Sequence, residues 1–180
     1  RNLSETGRLA MTLDLDVQMI SANSRRLVDH PSLLERTLLD KGPILVRDLM
    51  TVGVPTCPSD TPILDLARLM VQKNWEAVVV LDEEGHAIGV VSQDELIGLY
   101  PSYADEGPED LAGTTAADVM GEDIPQVPPD IPLSAAARIM QDRGVRAVFL
   151  MHNAGGISYP AAMLTYAHLL RHLVARTPAE

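Results

Sequence analysis

Cysteine is nearly absent: Cys57 stands alone among 180 residues. One thiol closes no intrachain disulfide and supplies no cysteine set for a zinc or iron–sulfur centre, which points to a reducing compartment. Positive charge is also in short supply. Lys and Arg number 14 against 25 Asp and Glu, a net charge of −11, and no block of Lys or Arg occurs. Nucleic acid and anionic membrane surfaces both need a cationic face to release counterions or bind head groups, so both are excluded as partners. No apolar run approaches the ~18 residues that cross a bilayer, and the opening RNLSETGRLAMTLDLD lacks the apolar core of a signal peptide. A cytoplasmic location is the expectation. The first residue is Arg, so the sequence reads as a trimmed chain or a piece of a longer one. Aromatic residues make up 3% of the chain, yet 46% of it is hydrophobic and 22% charged, the composition of a globular protein with a core to bury.

Catalytic signatures are missing too. The chain contains no GxxxxGK[ST], no GxGxxG after a strand and no GxSxG elbow. Of five histidines, only His168 and His172 have i,i+4 metal spacing, and no carboxylate sits between them as in HExxH. The sequence therefore reads as a protein that is not an enzyme and requires no metal.

What is present is a repeat. At an offset of 70, Asp48 falls on Asp118, Met50 on Met120, Pro55 on Pro125, Pro58 on Pro128, Asp60 on Asp130 and Pro62 on Pro132. Ala67, Arg68, Met70, Ala77 and Val78 fall on Ala137, Arg138, Met140, Ala147 and Val148. Eleven ungapped identities at constant offset define two related units. The following stretch, GVVSQDELIGLY against AMLTYAHLLRHL, realigns at an offset of 73, which places three extra residues in the second unit between His152 and Pro160.

Both units read alike locally. VRDLM and AADVM are helical turns that open each unit. VPTCP and IPQVP are short extended segments bounded by prolines. TPILDLARLMVQKN and IPLSAAARIMQDRG carry apolar residues at helical spacing, with Pro62 and Pro132 in the first turn, where the missing N–H costs nothing. AVVVLDEEGHAIGVVS predicts a hairpin of buried strands about Glu83-Glu84-Gly85, and AVFLMHNAGGISYPAAMLT repeats it with a looser turn. DELIGLY and YAHLLRHL close the units as helices.

In this order, given twice, the motifs resemble a tandem pair of CBS motifs, a Bateman module. The resemblance rests on the Asp-x-Met openers (Asp48, Met50; Asp118, Met120), the helix entries Pro58 to Ile63 and Pro128 to Leu133, the Ala-Val-Val-Val strand, and the closer Gly89 to Leu96. It implies a mixed α+β fold of two β-α-β-β-α repeats about a pseudo-twofold axis, with clefts between the repeats that take an adenosyl nucleotide. The organisation expected is an N-terminal extension over 1–43, first motif 44–100, acidic linker 101–113, second motif 114–173 and tail 174–180. In the extension, strict alternation from Leu9 to Met19 argues a half-buried strand, and SLLERTLLDKG, with Ser32 as N-cap and Gly42 as stop, a helix. PSYADEGPEDLAG reads as a solvated connection.

The residues that the resemblance places around the clefts are Thr56, Cys57, Lys73, Trp75, Ala77, Ser92, Gln93 and Glu95 from the first repeat. From the second they are Val127, Arg143, Arg146, Ala147, Thr165 and His168. In the family the closing helix carries Ser/Thr-x-x-Asp, the Asp holding the ribose diol. Here Glu95 stands in that place in the first repeat and His168 in the second, while Asp94, one residue early, is expected to point elsewhere. A neutral imidazole offers one acceptor and cannot hold a diol as a carboxylate does, so the second half-site reads as non-standard, with helix packing beside His172 the plainer role for His168. Lys73, Arg143 and Arg146 suit phosphate, or equally the C-terminal dipoles of their helices. Trp75 suits either adenine stacking or the core.

Two functions remain from the sequence. One is a regulatory module sensing AMP, ADP, ATP or S-adenosylmethionine; the other is a ligand-free scaffold for oligomerisation or protein interaction. Under either, the apolar faces Leu96, Ile97, Leu99 and Leu169, Leu170, Leu173 ask for cover, which predicts a homodimer, with an effector domain or partner protein as the regulated element.

Overall fold

The computed structural model describes residues 42–107, 109 and 111–176. The strand expected over 9–19 and the helix expected over 32–42 lie outside this range, apart from Gly42. Within it the elements run in chain order: a 3-10 turn Val46–Asp48, β1 (Thr51–Val52), β2 (Thr56–Pro58), α1 (Ile63–Lys73), β3 (Ala77–Leu81), β4 (Ala87–Ser92), α2 (Gln93–Gly98) and α3 (Tyr100–Glu106). The second repeat follows as α4 (Ala116–Val119), α5 (Leu133–Arg143), β5 (Ala147–Ala154), β6 (Ile157–Thr165) and α6 (Tyr166–Ala175). The mixed helix-and-strand class and the doubled unit are as the sequence implies.

Two three-stranded sheets form, in the orders β2-β3-β4 and β1-β6-β5. Strand β3 shows why its sequence is apolar on both faces. Val78 and Val80 point to α1 with Ile63, Leu66 and Met70, whereas Ala77 and Val79 face Ala147, Phe149 and Met163 of the other sheet. All four β3 residues from Ala77 to Val80 are fully buried, so alternation in direction carries no alternation in polarity.

The sheets are not made one from each repeat. β1 belongs to the first repeat by sequence but pairs antiparallel with β6 of the second, Thr51 opposite Met163 and Val52 opposite Ala162. The counterpart holds: Gly121, 70 positions after Thr51, bridges Val90 of β4, with both N–H groups donating across at 2.9 Å. The openers cross over in the same way. Val46 N–H donates to the Ile131 carbonyl at 3.0 Å and Ala116 N–H to the Thr61 carbonyl at 2.8 Å. Val46 and Met50 pack in the second repeat's core, and Ala116 and Met120 in the first repeat's. The Asp-x-Met motif thus divides its labour. Asp48 and Asp118 accept from the backbone N–H of Leu45 and Thr115, at 2.9 and 2.8 Å, and cap the opening turns, while the Met two positions after each Asp anchors the turn beneath the partner repeat.

Four expectations change. The acidic connection is partly folded: α3 begins at Tyr100, with Leu99 as its N-cap and Pro101 in its first turn, and Leu111 is 8% exposed in the first core, where Leu99 and Leu111 pack together. The second repeat's IPQVP makes a single parallel bridge, Gln126 to Phe149, where VPTCP of the first makes three pairs. The three extra residues do not loosen the second hairpin. They lengthen its strands, which pair out to Ala154 and Ile157 and reverse through Gly155 and Gly156, φ +61° and +85°, a geometry that glycine adopts without strain. Finally, Pro62 and Pro132 stand at the N-caps of α1 and α5, one residue before the first turn.

Candidate functional site

The crossover leaves two clefts, each walled by both repeats. The first is lined by Val90, Ser92, Asp94 and Glu95 from one repeat and by Gly121, Asp123, Pro125, Gly144, Val145, Arg146 and Ala147 from the other, with Ala77 at its floor. The second is lined by Thr51, Gly53, Pro55, Asn74, Trp75, Glu76, Ala77, Met163, Thr165, His168 and Arg171. Nearly every lining residue of one maps onto the other by the offsets of 70 and 73, so the clefts are pseudo-twofold copies in place and differ in chemistry. Their volumes are about 70 and 190 Å³.

In the first cleft each charged side chain has a partner, and acidic groups outnumber basic ones along the lining. Ser92 is the N-cap of α2, its hydroxyl accepting from Asp94 N–H at 3.1 Å, and Glu95 turns back to accept from Ser92 N–H at 2.7 Å and from the Ser92 hydroxyl. Ser-x-x-Glu is a capping box, and one oxygen of this carboxylate is committed to its own helix. Asp94, expected to point elsewhere, lines the cleft and accepts from Arg146 Nε at 2.8 Å across the repeat boundary. That bond and the charge of Asp94 raise the Arg146 guanidinium further above its ordinary value. Arg143 reaches Asp123 at 3.8 Å.

The second cleft has the same frame with different groups. Thr165 precedes α6, and Thr165 N–H donates to Nδ1 of His168 at 3.0 Å. Nδ1 is therefore the acceptor and Nε2 bears the proton, which it shares with the Thr51 hydroxyl at 2.8 Å. Burial, and behind it the charge of Arg171, hold His168 below the ordinary histidine value, with Glu76 opposing. His168 is a neutral capping residue that ties α6 to β1. Glu76 crosses from the first repeat to accept from the Thr165 hydroxyl at 2.5 Å and from Ala167 N–H at 3.3 Å.

The structure thus gathers Ser92, Glu95, Arg146 and Ala147 at one cleft, Trp75, Thr165 and His168 at the other, and Ala77 at both. Thr56 is exposed on β2 and Lys73 is exposed at the end of α1; neither lines a cleft. Cys57 and Val127 are buried, 7% and 3% exposed, in the cores of their repeats, and burial raises the Cys57 thiol against a weaker opposing bond from Thr61. Gln93 donates to the Trp75 carbonyl at 3.3 Å. Trp75 packs against the first core and lines the second cleft. Sequence reasoning misdirected Asp94 and assigned no cleft role to Asp123, Thr51, Glu76 and Arg171. The repeat offsets hold the signal for most of them: Thr51 is the counterpart of Gly121, and Glu76 of Arg146.

Among the described residues no group of three or more His, Cys, Asp or Glu is arranged to hold a metal, and no helix is long and apolar enough to cross a membrane.

The CBS domain profile matches residues 46–102 and again 116–175. Among curated proteins, MJ1426 of Methanocaldococcus jannaschii is 44% identical over 52 residues, 29% of this chain. The match spans 31% of that relative's own length. Among solved structures, the CBS domain pair of protein MJ0100, in complex with 5′-methylthioadenosine and S-adenosyl-L-methionine, superposes with a TM-score of 0.61 at 16% identity, covering 76% of this chain and all (100%) of that one. CBSX2 in complex with AMP superposes with a TM-score of 0.56 at 23% identity, covering 73% of this chain and 96% of that one. With two profile matches in tandem on a twofold frame, the chain belongs to the CBS domain family as a CBS pair.

Proposed function

We propose that this CBS pair is a regulatory module that senses an adenosine-containing small molecule, from the set AMP, ADP, ATP and S-adenosylmethionine, in a cleft between its repeats. It works as a homodimer in the cytoplasm, without catalysis and without a required cofactor, and acts on an attached effector domain or partner protein. The observation that carries this reading is the crossover. Because β1 pairs with β6 and Gly121 with Val90, every wall of each cleft is shared between the repeats, and a ligand bridging the walls is sensitive to their relative position. A ligand shifts such an equilibrium only by its differential affinity for the two arrangements. The adenosyl complexes of two structural relatives, MJ0100 and CBSX2, support the ligand class.

The test is a thermal-shift panel with these four ligands, NAD and cyclic dinucleotides, followed by calorimetry. A site filled at 100 times its dissociation constant adds ~2.7 kcal/mol, roughly 5 to 10 °C in a chain of this size. No shift from any of them would sink the sensor.

A ligand-free scaffold is the second reading, and exposed apolar side chains favour it. Leu96, Leu99 and Leu169 of the expected dimer faces pack against the chain's own cores, but Ile97 and its counterpart Leu170 remain 68% and 60% exposed. Light scattering that gives a strict monomer at high concentration would count against both the scaffold and the homodimer.

A further inference from the structure

We infer that the ligand of this CBS pair sits in the Thr165 cleft rather than the Ser92 cleft, with Glu76 as the acceptor for the ribose diol, and that it is a purine ribonucleoside bearing a single short anionic group. This rests on the adenosyl-sensor reading above and names the cleft, the residues and the charge of the ligand.

In each cleft one carboxylate is oriented by two donors through a single oxygen, so the clefts are distinguished by room, charge and lining. Glu95 accepts from both the N–H and the hydroxyl of Ser92 through one oxygen, and its neighbour Asp94 is held by Arg146. The Ser92 cleft is narrow, and Asp94, Glu95 and Asp123 face it with Arg146 as the one basic lining group. A phosphate entering there meets a surplus of negative charge.

The Thr165 cleft differs in its volume, its aromatic lining and its balance of charge. Glu76 uses Oε1 for Thr165 and Ala167, and its Oε2 makes no hydrogen bond among the described residues. A carboxylate that lines a cleft of about 190 Å³, oriented by two donors and with one oxygen not hydrogen-bonded, is pre-organised to accept from vicinal hydroxyls. His168, whose two nitrogens are engaged by Thr165 and Thr51, does not compete. Trp75 supplies an aromatic wall for a base. Arg171 lines the same cleft with no carboxylate at ion-pair distance among the described residues; its counterpart in the Ser92 cleft is Gly98. One open guanidinium beside one fixed carboxylate matches one short anion and opposes a polyphosphate tail.

Trp75 is the single tryptophan and lines only the Thr165 cleft of the two, so it reports occupancy in the unaltered chain. AMP titrated into the full chain should change Trp75 fluorescence with the midpoint that calorimetry gives. AMP should bind more tightly than both ATP and 2′-deoxy-AMP. Glu76→Gln should weaken AMP roughly 10- to 100-fold, the range for a hydrogen bond to a charged group, and should abolish the preference for AMP over the deoxy form, a discrimination that loss of a helix cap alone would not remove. Arg171→Ala should weaken AMP and leave adenosine unchanged, and Glu95→Gln should keep AMP within about twofold. Calorimetric binding without a fluorescence change, or loss of AMP in Glu95→Gln with retention in Glu76→Gln, overturns the cleft assignment while the sensor stands. Tighter binding of ATP overturns the single-anion ligand. No binding of AMP, ATP or S-adenosylmethionine removes the sensor itself and this inference with it.

Discussion

Gly89 and Gly121 approach so closely where the repeats join that a Cβ at position 89 would stand 2.8 Å from the Gly121 carbonyl oxygen and 2.5 Å from the Met120 sulfur. The sulfur ends a flexible side chain, but the carbonyl is backbone held in the Val90 bridge. Gly89→Ala should therefore cost about 1–3 kcal/mol, the range for overpacking, by forcing the seam apart. Gly121→Ala would meet nothing nearer than 3.8 Å and serves as the control. Equal denaturation midpoints for the two variants would refute a tight seam at position 89.

Ser92 and Glu95 cap α2 whether or not a ligand is present. Ser92→Ala should lower stability by about 0.5–2 kcal/mol in ligand-free protein, read from the urea midpoint at unchanged slope. Glu95→Ala should destabilise as well, so Glu95→Gln, which preserves the capping box, is the variant suited to a binding assay. A ligand-free Ser92→Ala protein with wild-type stability would contradict the cap.

His168 predicts the direction of one pH effect. Burial and Arg171 lower its pKa in the folded chain below the ordinary 6.5, with Glu76 opposing and the neutral hydroxyls of Thr51 and Thr165 as its bonded partners. Above 6.5 both folded and unfolded chains hold the ring neutral, and its stabilising contribution is complete; as pH falls below that value the unfolded chain takes up the proton more readily and the contribution drains away. The melting temperature should fall less between about pH 7.5 and about pH 5 in His168→Gln than in the parent. An equal fall in both would mean that His168 does not titrate in this way.

Cys57 is buried, and its thiol is held above the ordinary value. The thiolate is the reactive form, so a disulfide reagent should modify Cys57 in native protein only as fast as the chain opens, and at once in denaturant. Rapid stoichiometric labelling under native conditions would show that the first core is open.

Much of the fold is legible from spacing. The offset of 70 found both repeats because a repeated unit must repeat its caps and core positions, and Asp48, Asp118, Pro62 and Pro132 are such positions. The candidate site was legible only in part. Ser92 and Thr165 stand at the ends of β4 and β6, where the sequence pattern places them, but the reading of Glu95 left out that a Ser-x-x-Glu box draws one carboxylate oxygen back onto its own backbone. Asp94 was discounted because its direction depends on Arg146, 52 positions away, and Glu76 was passed over because its hydroxyl partner lies 89 positions away.

The sequence by itself determined the repeat helices, the buried strands, the hairpins and their doubling, since these depend on periodicity, β-branching, proline and glycine within a few residues of one another. The tertiary structure alone decided that each opener packs beneath the opposite repeat, that β1 joins β6, and that two clefts equivalent by symmetry differ in charge. Those outcomes depend on hydrogen bonds and ion pairs between residues far apart in the chain, and the energy of such a contact exists only once packing has brought its two partners within reach.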